Sequence, residues 1–131
     1  MTEIILYMKP VTQGSVTAIP VNGKARIIHN HSKELYEQRA LIQSLYHENG
    51  GEMYDGAVTV EAEFGFVRPK SVSEKKRPHM TVKPDIDKLA RAILDALTNH
   101  AYRDDSQVIS LTLRKVYADK EYVKIDINSC N

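Results

Sequence analysis

Strict alternation of apolar and polar residues between Ala57 and Val67 is the feature that most constrains how this chain folds. The apolar set comprises Val58, Val60, Ala62, Phe64 and Phe66, and the polar set comprises Thr59, Glu61 and Glu63. Because successive side chains of a strand point to opposite faces, this pattern predicts a strand with one buried and one wet face. A sheet built around such a strand needs a covering layer on its apolar side.

Two segments have the pattern of a helix that covers a sheet. The apolar residues Ile86, Leu89, Ala90, Ile93, Leu94 and Leu97 recur at the spacing of one helix face. Ser32 is a good N-cap for an earlier helix that runs to about His47, and Asn49-Gly50-Gly51 ends that helix. We therefore expect two helices, one before and one after the alternating strand in the sequence.

Further strands are predicted before the first helix and after the second helix in the sequence. Residues 4–8 form an opening strand, residues 11–23 are rich in turn formers, and residues 24–28 follow an Asn-Gly turn signal as a short second strand. Residues 108–117 and 122–127 are predicted to form a hairpin around residues 118–121. The order β-β-α-β-α-β-β predicts an α+β fold, a two-layer sandwich with two helices on one face of a mixed β-sheet.

Length and composition limit the class of protein. A chain of 131 residues with 42% hydrophobic and 27% charged residues fits one globular domain, residues 1–131. The single cysteine excludes an intrachain disulfide, and no apolar run approaches the ~20 residues that span a bilayer. The first residues lack the basic and small-residue features of a signal peptide. We therefore expect a cytoplasmic protein.

Positive charge is concentrated in one predicted loop, which we call the basic loop, residues 68–83. It contains Arg68, Lys70, Lys75, Lys76, Arg77 and Lys83 against a single acidic residue, Glu74. Such a segment can neutralise DNA phosphates, and His79 within it is a further candidate phosphate contact. A solvated surface loop is the alternative interpretation.

Four aspartates bracket the second predicted helix: Asp85 and Asp87 at its start, and Asp104 and Asp105 after its end. In an extended entry to the helix, Asp85 and Asp87 project to the same side, whereas inside a helix they diverge. Carboxylates of this kind suit Mg²⁺ or Mn²⁺. The alternatives are that individual aspartates act as helix caps or turn residues.

Basic and imidazole side chains near these aspartates have more than one interpretation. Arg91 follows Asp87 by one helical turn, where it can stabilise charge on a phosphate or form an ion pair with Asp87. His29-Asn30-His31 is more typical of a polar turn than of a metal pair, because no third ligand has zinc-like spacing.

Two segments together resemble the signature of RusA-type Holliday junction resolvases. The first is Lys83-Pro84-Asp85-Ile86-Asp87-Lys88-Leu89-Ala90-Arg91-Ala92-Ile93-Leu94-Asp95-Ala96-Leu97, and the second is Asp104-Asp105-Ser106-Gln107-Val108. The family pattern is K/R-x-D-x-D-N-L-x-K-x-x-x-D-A-L, followed by D-D-x-Q-V. Both halves occur in order at the right separation, and the close match covers about residues 83–108.

The resemblance implies a homodimeric endonuclease that depends on Mg²⁺, with Mn²⁺ as a substitute, and cuts four-way DNA junctions by paired nicks. The family's essential aspartates fall on Asp85, Asp87 and Asp105, and Asp104 is a fourth candidate metal ligand. The family's catalytic lysine falls on Arg91, which keeps the charge but is a poor proton donor near neutral pH. Lys88 replaces the usual asparagine and is a second candidate catalytic cation.

Two other functions fit parts of the sequence. A non-catalytic protein of the same fold that binds junctions or branched DNA would keep the basic loop and tolerate the changes at Arg91 and Lys88. A small metal-binding protein without nucleic-acid contact would use the aspartates alone. The basic loop argues against the latter, because it places positive charge beside the predicted cation site. The resemblance fits a bacterial, prophage or phage origin without deciding among them.

Overall fold

A computed structural model describes residues 1–13, 16–29 and 32–130. Its elements in chain order are β1 (Thr2–Leu6), β2 (Val16–Val21), β3 (Lys24–His29), α1 (Lys33–Glu48), β4 (Val58–Phe66), α2 (Ile86–Leu97), a 3-10 turn (Asp105–Gln107), β5 (Val108–Tyr117) and β6 (Tyr122–Ser129). Neither of the helices in these ranges is both long and apolar enough to span a membrane.

Four strands form a mixed sheet in the order β1-β6-β4-β5. β4 pairs parallel to β5 and antiparallel to β6, and β6 pairs antiparallel to β1. Ile4, Ile125 and Ala62 are register partners across three strands, and all are buried. The predicted alternation in β4 is therefore confirmed, and the same face is apolar in its neighbours.

Both helices pack on one face of this sheet. α1 contacts β1 and α2, and α2 contacts β5. The buried residues Ile42, Tyr46, Leu89 and Ile93 of the helices join the sheet residues in one apolar cluster. The predicted α+β sandwich is confirmed, and the helix layer places the start of α2 near the edge of the sheet formed by β5.

The predicted hairpin of the last two strands is wrong, because β4 lies between β5 and β6. The connection at residues 118–121 crosses the end of β4, where the amide of Ala118 donates to the carbonyl of Phe66 at 2.8 Å. A reversal of direction between two strands looks the same in sequence whether they pair directly or flank a third. With a strand on each side, β4 has backbone pairing along both of its edges.

The N-terminal third differs in detail from the prediction. β1 spans Thr2–Leu6 rather than residues 4–8. β3 is confirmed, but it pairs with β2 in a separate two-stranded sheet, and β2 falls within the predicted turn-rich segment. Asn22 and Gly23 have φ of 52° and 77°, as a two-residue hairpin turn requires, so a strand must precede them as well as follow them.

The first helix forms as expected. The hydroxyl of Ser32 accepts a hydrogen bond from the amide of Leu35 at 3.0 Å, which is the predicted N-cap. The predicted polar turn that includes Asn30 and His31 lies outside the described residues.

Candidate active site

The start of α2 presents Asp85 as the N-cap residue and Asp87 within the first turn. Asp85 has extended backbone, with φ −72° and ψ 138°, and within the described part of the chain its side chain makes no capping hydrogen bond. One carboxylate oxygen of Asp85 instead lies 3.5 Å from Nζ of Lys88. The carboxylates of both aspartates are exposed, so they remain accessible to a ligand.

Asp87, Arg91 and Asp105 line one depression of about 290 Å³, which we call the acidic depression. Its remaining lining residues are Ala90, Leu94, Leu111 and Leu113, contributed by α2 and β5. The structure thus brings Asp105, from the turn after α2, together with Asp87 and Arg91 of the helix. The apolar walls limit hydration on one side of the charged groups.

Asp85 lies in a different depression, of about 280 Å³, with Thr12, Lys83, Pro84 and Lys88. The helix begins at Ile86, so Asp85 lies in the extended entry and Asp87 in the first turn, and the two line different depressions. Within the described ranges, no group of three or more histidine, cysteine, aspartate or glutamate side chains has the arrangement of a metal site. Metal binding by these aspartates stays a prediction.

The Asp104-Asp105 pair divides into two roles. The carboxylate of Asp104 accepts a hydrogen bond from the amide of Ser106 at 2.9 Å and caps the 3-10 turn. This backbone hydrogen bond lowers the pKa of Asp104. Asp105 begins the turn and lines the acidic depression. Asp104 therefore acts as a turn cap, as one of the alternative interpretations of the sequence held, whereas the side of the acidic depression is formed in part by Asp105.

Gln107 anchors this turn, a role that the sequence interpretation did not assign. Its Oε1 accepts from the amides of Arg103 and Asp104 at 2.9 and 3.1 Å, which completes a capping box. Its Nε2 donates to the carbonyls of Tyr54 and Gly56 at 2.8 and 2.9 Å. The Asp-x-x-Gln spacing is a recognisable capping signal, but the two contacts with residues 54 and 56 depend on the tertiary fold.

A buried tyrosine links the loop that carries Asp105 to α2. The hydroxyl of Tyr102 is fully buried and donates to the carbonyl of Leu94 at 2.7 Å. Burial is the main reason that the pKa of Tyr102 is raised, and the negative charge of Asp105 adds to the effect. Tyr102 therefore ties the loop that carries Asp105 to α2, which carries Asp87.

Arg91 is exposed at the rim of the acidic depression. Of the ion pairs within 4.0 Å in the described chain, none involves Arg91, so the alternative of an ion pair with Asp87 is not formed. The guanidinium group is therefore available to a ligand in the depression.

The basic loop contains two kinds of cationic residue. Arg68 donates to the carbonyls of Arg77 and Pro78 at 3.3 and 3.4 Å, and its guanidinium lies 4.5 Å from the ring centroid of Tyr117. Arg77 donates to the hydroxyl of Tyr117 at 3.3 Å. Both arginines are half-buried, so they hold the loop in its conformation.

The lysines of the same loop are exposed instead. No described residue forms a hydrogen bond or ion pair with the side chain of Lys70, Lys75 or Lys76, and His79 is also exposed. Lys83, at the end of the loop, shares a depression with Asp85. Positive charge that can meet a polyanion thus reaches the start of α2.

The donor set of the acidic depression fits a hard divalent cation. Asp87 and Asp105 offer carboxylate oxygens on the same concave surface, and both are exposed to water. Mg²⁺ is commonly held by one or two carboxylates together with water and substrate phosphate. The arrangement is consistent with that mode of binding.

Comparison with known proteins identifies the family. The family model described as Endodeoxyribonuclease RusA matches residues 8–128. The chain belongs to the RusA endodeoxyribonuclease family. The match includes the whole acidic depression, the basic loop and Asp85, which confirms the resemblance found in the sequence.

Two curated relatives of this RusA family chain match over nearly its whole length. The "Uncharacterized protein YqaN" of Bacillus subtilis (strain 168) is 28% identical, covering 95% of the chain and 94% of the relative. The "Crossover junction endodeoxyribonuclease rusA" of Lactococcus phage r1t is 27% identical over the same shares of each chain.

Proposed function

We propose that this RusA family protein is a structure-selective DNA endonuclease that resolves four-way junctions by paired, metal-dependent phosphodiester hydrolysis. The observation that carries the proposal is the acidic depression, where Asp87, Arg91 and Asp105 meet on one surface. The Lactococcus phage relative, named a crossover junction endodeoxyribonuclease, supports the choice of a crossover junction as substrate. The process served is DNA recombination and repair, in a bacterial cytoplasm.

The metal is Mg²⁺ or Mn²⁺, held first by Asp87 and Asp105. A bound ion of this type polarises a phosphoryl oxygen and makes bound water a stronger nucleophile. Asp85 is the third proposed ligand, and it joins when its carboxylate turns away from Lys88. Asp104 is the fourth proposed ligand, through the oxygen that does not cap the turn.

The cations beside the depression act on the substrate directly. Arg91 presents a planar guanidinium that can donate two hydrogen bonds to phosphate oxygens and stabilise the charge that develops on them. Lys88 lies beside Asp85 and supplies an amine that can donate a proton to a leaving oxygen. Arg91 thus binds and stabilises, while proton donation is assigned to Lys88.

The basic loop binds the junction arms through their phosphates. Lys70, Lys75, Lys76 and Lys83 contact DNA directly, together with His79. Arg68 and Arg77 act mainly by holding the loop in place, because their side chains are bound to the loop and to Tyr117. Phosphate contacts of this kind carry no sequence information, so binding depends on salt more than on sequence.

Paired cleavage requires two active sites, and a four-way junction is approximately two-fold symmetric. A homodimer with C2 symmetry places one acidic depression at each of two opposed strands. Sedimentation of the protein, combined with a junction-resolution assay at the same concentration, tests this assembly. Full junction resolution by a species with the 14.8 kDa mass of one chain would contradict it.

A labelled four-way junction incubated with and without Mg²⁺ tests the function. We expect symmetric nicks with Mg²⁺, and binding without cleavage in a chelator. Asp87→Asn should bind the junction at least as well as wild type and cut nothing. Binding without nicks in both Mg²⁺ and Mn²⁺ would instead support the non-catalytic junction-binding alternative, and loss of both would leave a metal-binding role without nucleic acid.

A further inference from the structure

Lys115 connects the edge strand of the sheet to the segment that enters α2. It lies in β5 as the register partner of the buried Phe64, on the side of the sheet that faces the helices. Its Nζ donates to the carbonyl of Val82 at 2.8 Å and to the carbonyl of Pro84 at 2.9 Å. Both carbonyls belong to residues within three positions of Asp85.

These two hydrogen bonds have few substitutes in the described structure. Among the residues that the structure describes, no backbone carbonyl accepts from the amides of residues 82, 83 and 85, and Pro84 has no amide hydrogen. Hydrogen bonds from an ammonium group are stronger than those between neutral groups. The direction in which the chain enters α2 therefore depends on Lys115.

The entry direction determines where the charged groups point. Lys83 lies between the two bonded carbonyls, and Asp85 follows directly after them. Asp85 and Lys83 share one depression, and Asp87 lies one residue into the helix from Ile86. A shift of the main chain at residues 82–84 therefore moves a phosphate-binding lysine and the first two aspartates together.

We propose that Lys115 is a positioning residue for the metal site and for cleavage. Its ammonium group holds residues 82–84 so that Asp85 and Asp87 keep their places relative to Asp105. Both of its bonds go to main-chain carbonyls, so it acts through the loop rather than on the substrate. The inference rests on the proposed function, and its test includes readouts that do not need DNA cleavage.

The test compares Lys115→Met, Lys115→Arg and a matched control, Lys124→Met. Methionine keeps the length of an apolar stem and removes the donors, whereas arginine keeps donors that can reach a carbonyl. Lys124 is a half-exposed lysine of β6 whose ammonium lies 3.8 Å from Glu3 on the opposite face of the sheet. Circular dichroism first establishes that each variant is folded.

Three quantities are then measured: Mn²⁺ affinity by calorimetry, hydrogen exchange of the amides in residues 82–87, and single-turnover cleavage as a function of Mg²⁺. Loss of residues that orient metal ligands commonly costs about 10–100-fold in metal affinity or activity. For Lys115→Met we expect a change of that size in Mn²⁺ affinity and cleavage, faster exchange, and junction affinity within about threefold of wild type. Lys115→Arg should recover part of each loss, and Lys124→Met should match wild type.

The outcomes separate this inference from the proposed function. Wild-type Mn²⁺ affinity and wild-type exchange in Lys115→Met would overturn the positioning role, whatever the enzyme does to DNA. Failure of the wild-type protein to cut junctions would overturn the function but leave the metal and exchange comparison decisive. If Lys115→Met is unfolded, Lys115→Gln replaces it, because its shorter neutral amide cannot reach both carbonyls, and the same criteria apply.

Discussion

The side-chain amide of Gln107 donates to the main-chain carbonyl of Tyr54 at 2.8 Å, across 53 positions of sequence. The same side chain accepts from the amide of Asp104 at 3.1 Å. One residue therefore satisfies backbone groups of the Asp105 turn and of the segment before β4. The location of Asp105 in the acidic depression is a consequence of this double attachment.

Gln107→Ala should loosen the turn and reduce cleavage more than DNA binding. The variant loses hydrogen bonds to four backbone groups, so we expect a decrease of about 1–2 kcal/mol in the free energy of unfolding. Displacement of Asp105 should lower the cleavage rate by at least about tenfold. Urea unfolding and single-turnover cleavage of a junction measure the two effects.

Gln43→Ala is the control for that experiment. Gln43 also donates to a distant main-chain carbonyl, that of Ala96 at 3.0 Å, but it is not part of the acidic depression. The Gln43→Ala variant should have a lower free energy of unfolding but cleave junctions at the wild-type rate. Equal loss of cleavage in both variants would show that Gln107 acts only through global stability.

Asp104 and Asp105 should respond differently to replacement by asparagine. Asparagine is as good an N-cap as aspartate, so Asp104→Asn keeps the turn and weakens only the fourth proposed ligand; it should still cut junctions, at a reduced rate. Asp105→Asn removes a charged oxygen donor from the acidic depression and should abolish cleavage while preserving junction binding. Gel assays of binding and nicking with the two variants side by side check the contrast. Abolished cleavage in Asp104→Asn would instead make Asp104 as essential to the site as Asp105.

Arg91→Ala should separate catalysis from binding. A guanidinium that stabilises developing charge on phosphate is expected to contribute about 10²–10³-fold to the cleavage rate. Junction affinity should change little, because we expect the exposed lysines of the basic loop to supply most phosphate contacts. Arg91→Lys, which restores the residue of the family pattern, should stay active or gain activity. A wild-type rate in Arg91→Ala would move the catalytic cation to Lys88.

Local sequence patterns predicted the helices and strands whose formation depends on neighbouring residues. They failed to predict strand order, which depends on the whole chain. The alternation around Ala62, the cap at Ser32 and the amphipathic spacing of α2 are properties of neighbouring residues, and each formed as expected. The insertion of β4 between β5 and β6 is a choice among partners that no local pattern encodes.

The candidate site shows the same division. Spacing identified the four aspartates and Arg91 as candidates, and the family resemblance selected Asp105 over Asp104. No local pattern places Asp85 in a depression apart from Asp87. Lys115 carried no signal at all, because a lysine in an edge strand is common. Its contacts with residues 82 and 84 exist only because β5 runs beside the entry to α2.

His100 should make the protein less stable in mild acid. Nδ1 of His100 lies 2.9 Å from Nε2 of His47, and burial, followed by the proximity of His47, lowers the pKa of His100. Just below the unfolded pKa of about 6.5, the unfolded chain therefore binds a proton at this histidine and the folded chain does not. The free energy of unfolding falls as pH decreases through this range. His100→Gln should remove that part of the decrease.

Urea unfolding at about pH 7.5 and about pH 5.5 measures the effect for wild type, His100→Gln and the control His79→Gln. His79 is exposed in the basic loop, so its replacement should leave the pH dependence as in wild type. The assignment fails if the loss of stability between the two pH values is the same in all three proteins.

A row of carboxylates crosses the wet face of the sheet, where Asp126 is the register partner of both Glu3 and Glu61. Oδ1 of Asp126 is buried and has no hydrogen-bond partner among the described residues. Burial, and then the charge of Glu3, raises the pKa of Asp126, while Lys124 acts in the opposite direction. The ionised form of Asp126 is therefore disfavoured in the folded protein.

Asp126→Asn should stabilise the protein at neutral pH by about 0.5 kcal/mol, because it removes a like charge from a cross-strand pair. A raised folded pKa means that wild type regains this energy as pH falls and Asp126 becomes protonated, so the advantage of the variant should disappear near about pH 3. Thermal unfolding of wild type and Asp126→Asn across this pH range measures the difference. Asp119→Asn, at an exposed position between β5 and β6, is the matched control and should change neither stability nor its pH dependence. A variant less stable than wild type at neutral pH would show that ionised Asp126 contributes a favourable interaction with Lys124 that outweighs repulsion from Glu3 and Glu61.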